Sequence, residues 1–142
     1  MVAIGNGAEL ENLLANWTDS PQKIKKAFIR LLEHLQQKEG IALSFVARPG
    51  VTYSLRARHA DQRKRELYAM VDVIDDDPAD RWLSVCFYGD TITDPAENGD
   101  FVPEGLLGED ACCFDIEELN EPVMGYVEER LDEAHENAGK EG

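Results

Sequence analysis

The sequence predicts an α+β fold: a four-stranded antiparallel meander sheet with two N-terminal helices and one C-terminal helix packed on one face. Three patterns lead there. Apolar residues recur with a helical period over residues 10–35, switch to strict alternation between residues 43 and 88, and return to a helical period after residue 120. At 142 residues the chain has the length of one domain. It is read as a single unit, 1–142, with residues 1–7 and 137–142 frayed and 89–110 a long acidic loop.

Leu10, Leu13, Leu14 and Trp17 stand at i, i+3, i+4 and i+7, one face of a first helix. Ser20 is a natural N-cap for a second helix and Pro21 suits its first position. Ile24, Phe28, Leu31, Leu32 and Leu35 make its core stripe, and Gly40 ends it in a left-handed conformation. Leu43, Phe45 and Ala47 then alternate with polar or smaller neighbours. After Arg48-Pro49-Gly50, Val51, Tyr53, Leu55 and Ala57 do the same, so the two runs form a hairpin. A basic connection from His59 to Lys64 leads to a third run with Leu67, Ala69, Val71 and Val73 turned inward. Asp75-Asp76-Asp77-Pro78 makes a turn, and Leu83, Val85 and Phe87 mark the fourth run. Short connections favour pairing of sequence neighbours.

Residues 89–110 hold two Pro, four Gly and seven carboxylates, which reads as a loop of a length that is often functional. Ala111 to Phe114 can form a short strand. The last helix starts near Asp115 or Asn120, with Pro122 in its first turn and Val123, Tyr126, Val127, Leu131 and Ala134 buried.

Charge narrows the partners. Fourteen basic residues against 29 acidic ones leave −15, so nucleic acid and anionic membranes would be repelled. The imbalance is uneven. Residues 1–71 carry 11 basic and 7 acidic side chains, +4, whereas 72–142 carry 3 and 22, −19. Such halves either steer a basic partner or a second copy of the chain, or simply form a solvated surface with internal pairing. No basic segment followed by an apolar run opens the chain, and no run approaches the length that spans a bilayer. Cys86, Cys112 and Cys113 are an odd set without Cys-x-x-Cys spacing, which reads as free thiols in a reducing cytoplasm.

The strand residues that point away from the helices are the informative ones: Val46, Thr52, Ser54, Arg56, Arg58, Tyr68, Met70, Trp82, Cys86 and Tyr88. Aromatic residues, Met and Arg together match the composition of protein interfaces. Arg56, Tyr68, Met70, Trp82 and Tyr88 are therefore the expected partner-binding residues. Alternatively, the 89–110 segment folds back and buries this face with Phe101, Leu106 and Leu107 as a second small core.

Catalytic patterns are weak. His34 reads as a boundary residue, and neither His59 nor His135 has a nucleophile or carboxylate at motif spacing. Glu109, Asp110 and Asp115 around Cys112 and Cys113 oppose thiolate formation. A calcium loop starting at Asp94 would need a carboxylate at its twelfth position, where Gly105 stands. Asp75, Asp76, Asp77 and Asp80 read as a solvated turn. Gly5-Asn6-Gly7 lacks the preceding strand and the lysine of a phosphate loop. No catalytic residue, metal site or cofactor is expected.

The functional expectation is a small, acidic, non-enzymatic protein-interaction module, adaptor or chaperone-like, working as a homodimer through the aromatic and arginine-bearing sheet face. The alternative is a small-molecule or metal-ion binding domain with 89–110 as its lid. Size and acidity are similar to those of small secretion chaperones. The element order lacks the helix those proteins insert between strands, so no residue role is carried over.

Overall fold

The computed structural model describes residues 4–141. The chain runs β1 (Ile4–Gly5), α1 (Gly7–Asn16), α2 (Ile24–Gln36), β2 (Ile41–Arg48), β3 (Thr52–His59), β4 (Ala69–Ile74), β5 (Trp82–Tyr88), β6 (Asp100–Leu106), β7 (Glu109–Ile116) and α3 (Glu121–Gly139). All seven strands belong to one sheet, ordered β1-β2-β3-β4-β5-β7-β6. The four-stranded antiparallel meander is thus corrected to a seven-stranded mixed sheet, still α+β with three helices.

Strands β2 to β5 form the sheet's centre, each antiparallel to its neighbour in sequence. The Pro49–Gly50 turn places Phe45 opposite Leu55, and β4 and β5 continue the row with Val71 and Val85. Gly50 sits at φ +83°, a left-handed conformation that glycine adopts without a Cβ clash.

Three strands are added at the edges. β1 is two residues long and lies parallel to β2, with Ile4 beside Leu43. The segment expected as loop 89–110 contains β6, which returns as a hairpin against β7, and β7 pairs with β5. Asp-Phe-Val-Pro-Glu-Gly-Leu shows no alternation because β6 is an outer strand, exposed from Asp100 to Gly105. Pro103 is tolerated there because an edge strand has ladder positions with no neighbour to bond.

The helix starts also shift. Ser20 and Pro21 form a separate turn, Lys23 takes φ +61°, and α2 begins at Ile24. Asp19 caps from a distance, its Oδ1 accepting from the Lys25 amide at 3.0 Å. In α3 the Asn120 side chain accepts from the Val123 amide at 3.2 Å, and Pro122 occupies the first turn, where its missing N–H costs nothing. Of the ends expected to fray, residues 1–3 and 142 lie outside the described residues; Ile4–Gly5 pairs as a strand, and Glu141 accepts from the Lys64 and Arg65 amides.

One core joins the three helices to one face of the sheet. Phe28, Leu31 and Leu35 of α2 and Met124, Val127 and Leu131 of α3 pack on Phe45, Leu55, Val71, Val85 and Phe87. An ion-pair seam locks α2 to α3: Arg30 reaches Glu121 at 2.7 Å and Glu128 at 2.8 Å, and Lys38 and His34 share Asp132. Part of the basic cluster of α2 is therefore neutralised within the chain.

A second, smaller core lies on the opposite face, made by Leu67, Cys86, Tyr88, Leu106, Ala111 and Cys113. It exists because β7 runs beside β5, which sets Cys86 directly opposite Cys113. The two are joined as a disulfide, which corrects the expectation of free thiols. Cys112 alone stays free, its thiol pushed up by burial and by Asp94 and Asp100.

Denatured, unreduced protein is expected to titrate one thiol per chain with Ellman's reagent; three would remove the bond. Reduction should lower the unfolding free energy by about 3.5 kcal/mol, the chain-entropy value for a loop of this size.

Candidate docking face of the sheet

Strands have a period of two, so packing one face against helices leaves the alternate residues on the other. Phe45, Leu55, Val71, Val73, Leu83 and Val85 are 0% exposed on the helix side. Their alternates form cross-strand rows on the back. One row runs Ser44, Arg56, Met70, Cys86, Cys113, Asp100; the next runs Val46, Ser54, Asp72, Ser84, Asp115; a third runs Arg48, Thr52, Ile74, Trp82. The β6–β7 hairpin covers this face only at one end, through Leu106.

Of the five residues expected to bind a partner, the structure brings three together. Arg56, Met70 and Trp82 sit on the back face, each half-buried. Tyr68 does not. The chain bends there, so Leu67 turns to the back and Tyr68 to the helices, the reverse of simple alternation. Tyr68 is 1% exposed and lies edge-on to His135 of α3 at 5.6 Å. Tyr88 keeps the expected side but is sealed at 2% exposure among Leu67, Leu106 and Ala111. The Arg65 guanidinium lies 4.0 Å over its ring, held by Asp90 and Glu109 at 3.0 and 2.8 Å. The 89–110 segment therefore covers the face only at its Tyr88 and Cys86 end, through Leu106; Phe101 and Leu107 stay exposed. The two tyrosines are corrected from docking residues to core residues.

Arg48, Asp72, Ile74 and Asp115 belong to this face and escaped the sequence reading. The signal for Asp72 and Ile74 was their alternation with Val71 and Val73.

Electrostatics divide the face. Among the described residues Arg48, Arg56 and Arg58 make no ion pair, whereas Arg30, Arg65, Arg81 and Arg130 all do. Arg56 donates to Ser54 Oγ at 3.4 Å and Arg58 to the Gln62 carbonyl at 3.2 Å. Asp100 and Asp115 stand at the opposite end; burial, then Asp100 and Glu117, push the Asp115 carboxyl up. Arg56 and Asp100 are separated by four strand spacings, roughly 19 Å. In the centre the Asp72 carboxyl is raised by burial against the opposing pull of Ser54, Arg56 and Arg48. Its Oδ1 is buried without a hydrogen-bond partner.

Residues 89–99 are tied to α3. Thr93 donates from its amide and hydroxyl to Glu133 at 2.8 and 2.7 Å, Asn137 donates to the Thr91 carbonyl, and the Tyr126 hydroxyl donates to Asp94. Among the described residues no group of three His, Cys, Asp or Glu is placed to hold a metal ion, and no helix is long and apolar enough to cross a membrane. No protein-family model, curated protein or solved structure matches the chain.

Tyr88→Ala is expected to cost about 3–5 kcal/mol in urea unfolding, as for other buried aromatics, and Trp82→Ala less than half of that. Asp72→Asn should raise stability at pH 7. A carboxyl with a raised folded pKa is destabilising while ionised, and that penalty disappears as pH falls through the carboxylate range. The advantage of the variant over the native chain should therefore shrink toward about pH 4 in parallel unfolding series.

Proposed function

We propose that the protein is a small non-enzymatic interaction module, adaptor- or chaperone-like, that docks through the back face of its sheet and pairs there with a second copy of itself. The carrying observation is the charge gradient across an uncovered face. Arg48, Arg56 and Arg58 lie at one end, with Val46 beside Arg48 on β2, Asp100 and Asp115 at the other, and Met70, Ile74 and Trp82 between them.

A two-fold axis lying in that face, parallel to the strands, turns the basic end of one copy onto the acidic end of the other. The patch is then complementary to itself, which a closed two-fold dimer requires. Aligned packing of two sheets face to face, roughly 10 Å apart, is an ordinary arrangement. Trp82, Met70 and Ile74 supply the apolar centre, and the arginines supply planar donors at its edge. The place in the cell rests on the Cys86–Cys113 pair: an oxidising compartment keeps the bond, and the reducing cytoplasm would open it.

Two charge-reversed variants test the arrangement in sedimentation at tens of micromolar. Arg56→Glu with Arg58→Glu, and Asp100→Lys with Asp115→Lys, are each expected to be single chains alone, because like charges then meet across the axis. Mixed in equal amounts they should restore a two-chain species, since each supplies the charge the other lost. A native protein that stays a single chain, or variants that pair as well alone as mixed, would overturn the proposal.

A further inference from the structure

A cavity of about 450 Å³ opens on the helix side, between α1 and the β2–β3 turn, away from the docking face. Its walls are of two kinds. Leu13, Ala47 and Pro49 are apolar, and Asn12, Tyr53 and Arg81 carry polar groups. The volume lies within the range of small-molecule sites and far exceeds that of one water.

Arg81 is held with unusual firmness. Its Nε donates to Asp75 Oδ1 at 2.7 Å, and Asp75, 2% exposed, accepts from the Gly50 amide through Oδ2 at 2.8 Å. The guanidinium lies 5.2 Å from the Trp17 ring centre and 5.6 Å from that of Tyr53. Its side chain is 12% exposed, yet Nε is the only nitrogen with a hydrogen-bond partner among the described residues. The two terminal nitrogens carry four N–H donors in one plane, the fork that matches a carboxylate. The Tyr53 hydroxyl likewise has no partner among the described residues.

We infer that this cavity binds a small amphipathic carboxylate, its charged end on the Arg81 fork and its apolar body along Leu13, Ala47 and Pro49. Two features select a single negative charge over a phosphate dianion. Asp75 already balances the guanidinium, and Glu9 borders the cavity and repels further negative charge. The rings of Trp17 and Tyr53 keep the guanidinium in place before the ligand arrives, so little ordering opposes binding.

Hexanoate and hexanol are the probes, titrated into the full chain and followed by amide and Arg Nε chemical shifts. Hexanoate is expected to shift Gly50, Tyr53 and Arg81 with a Kd of about 0.1–1 mM, in the range open to so few atoms, and hexanol at least ten-fold more weakly. Ala47→Leu fills the cavity and leaves the Arg81–Asp75 pair intact; it should abolish the shifts. Arg81→Lys keeps the charge without the fork and should bring hexanoate down to the affinity of hexanol. Equal affinity for the two probes in the native chain, silence up to about 10 mM, or binding that survives in both variants would overturn the inference.

Discussion

Burial of one face of β2–β5 against three helices is the constraint from which the other features follow. Once Phe45, Leu55, Val71 and Val85 face α2 and α3, the pleat leaves no freedom about Arg56, Asp72 and Trp82: they must face the other way. A one-residue slip of any strand would exchange the two sets and put arginine and aspartate into the core. The ion-pair seam from Arg30 to Glu121 and Glu128 adds to this by fixing how α3 lies beside α2, although the apolar contacts beneath it contribute most of the energy.

The same pleat explains how one sheet carries two cores. Adding β7 beside β5 extends the helix-side layer with Phe114 and Ile116, and it places Cys113 and Ala111 on the back. The β6–β7 hairpin then folds Leu106 over Tyr88 and Cys86, while Arg65 closes the rim by bonding Asp90 and Glu109. Beyond this cap, Val46, Met70, Ile74 and Trp82 remain partly open. The chain thus covers one end of its back face and leaves the rest with arginines that form no ion pair among the described residues, in a protein with twice as many acidic as basic residues. Counter-charge is plentiful within the chain, so their isolation reflects where the strands place them.

Legibility followed the range of the interactions. α2 was readable because Ile24, Phe28, Leu31 and Leu35 repeat at the helical period, and β2–β5 because alternation persists through each of them. β6 was not readable: Pro103 and Gly105 oppose a strand, and only the partner β7 holds the segment extended. Arg56, Met70 and Trp82 reached the expected face by the same alternation. Tyr68 and Tyr88 failed for different reasons, one through a backbone bend just before β4, the other through a cover supplied by residues 18 positions further along the chain.

Local pattern alone determined an acidic chain with helices at both ends, four central strands and an amphipathic sheet, because periodicity and turn chemistry act over a few residues. Tertiary structure decided the sheet's edges, the meeting of Cys86 with Cys113, the sealing of Tyr88 and the placing of Arg81 against Trp17 and Tyr53. Those features depend on which distant strands become neighbours, a choice made by the summed burial of the whole chain and written in no single segment of it.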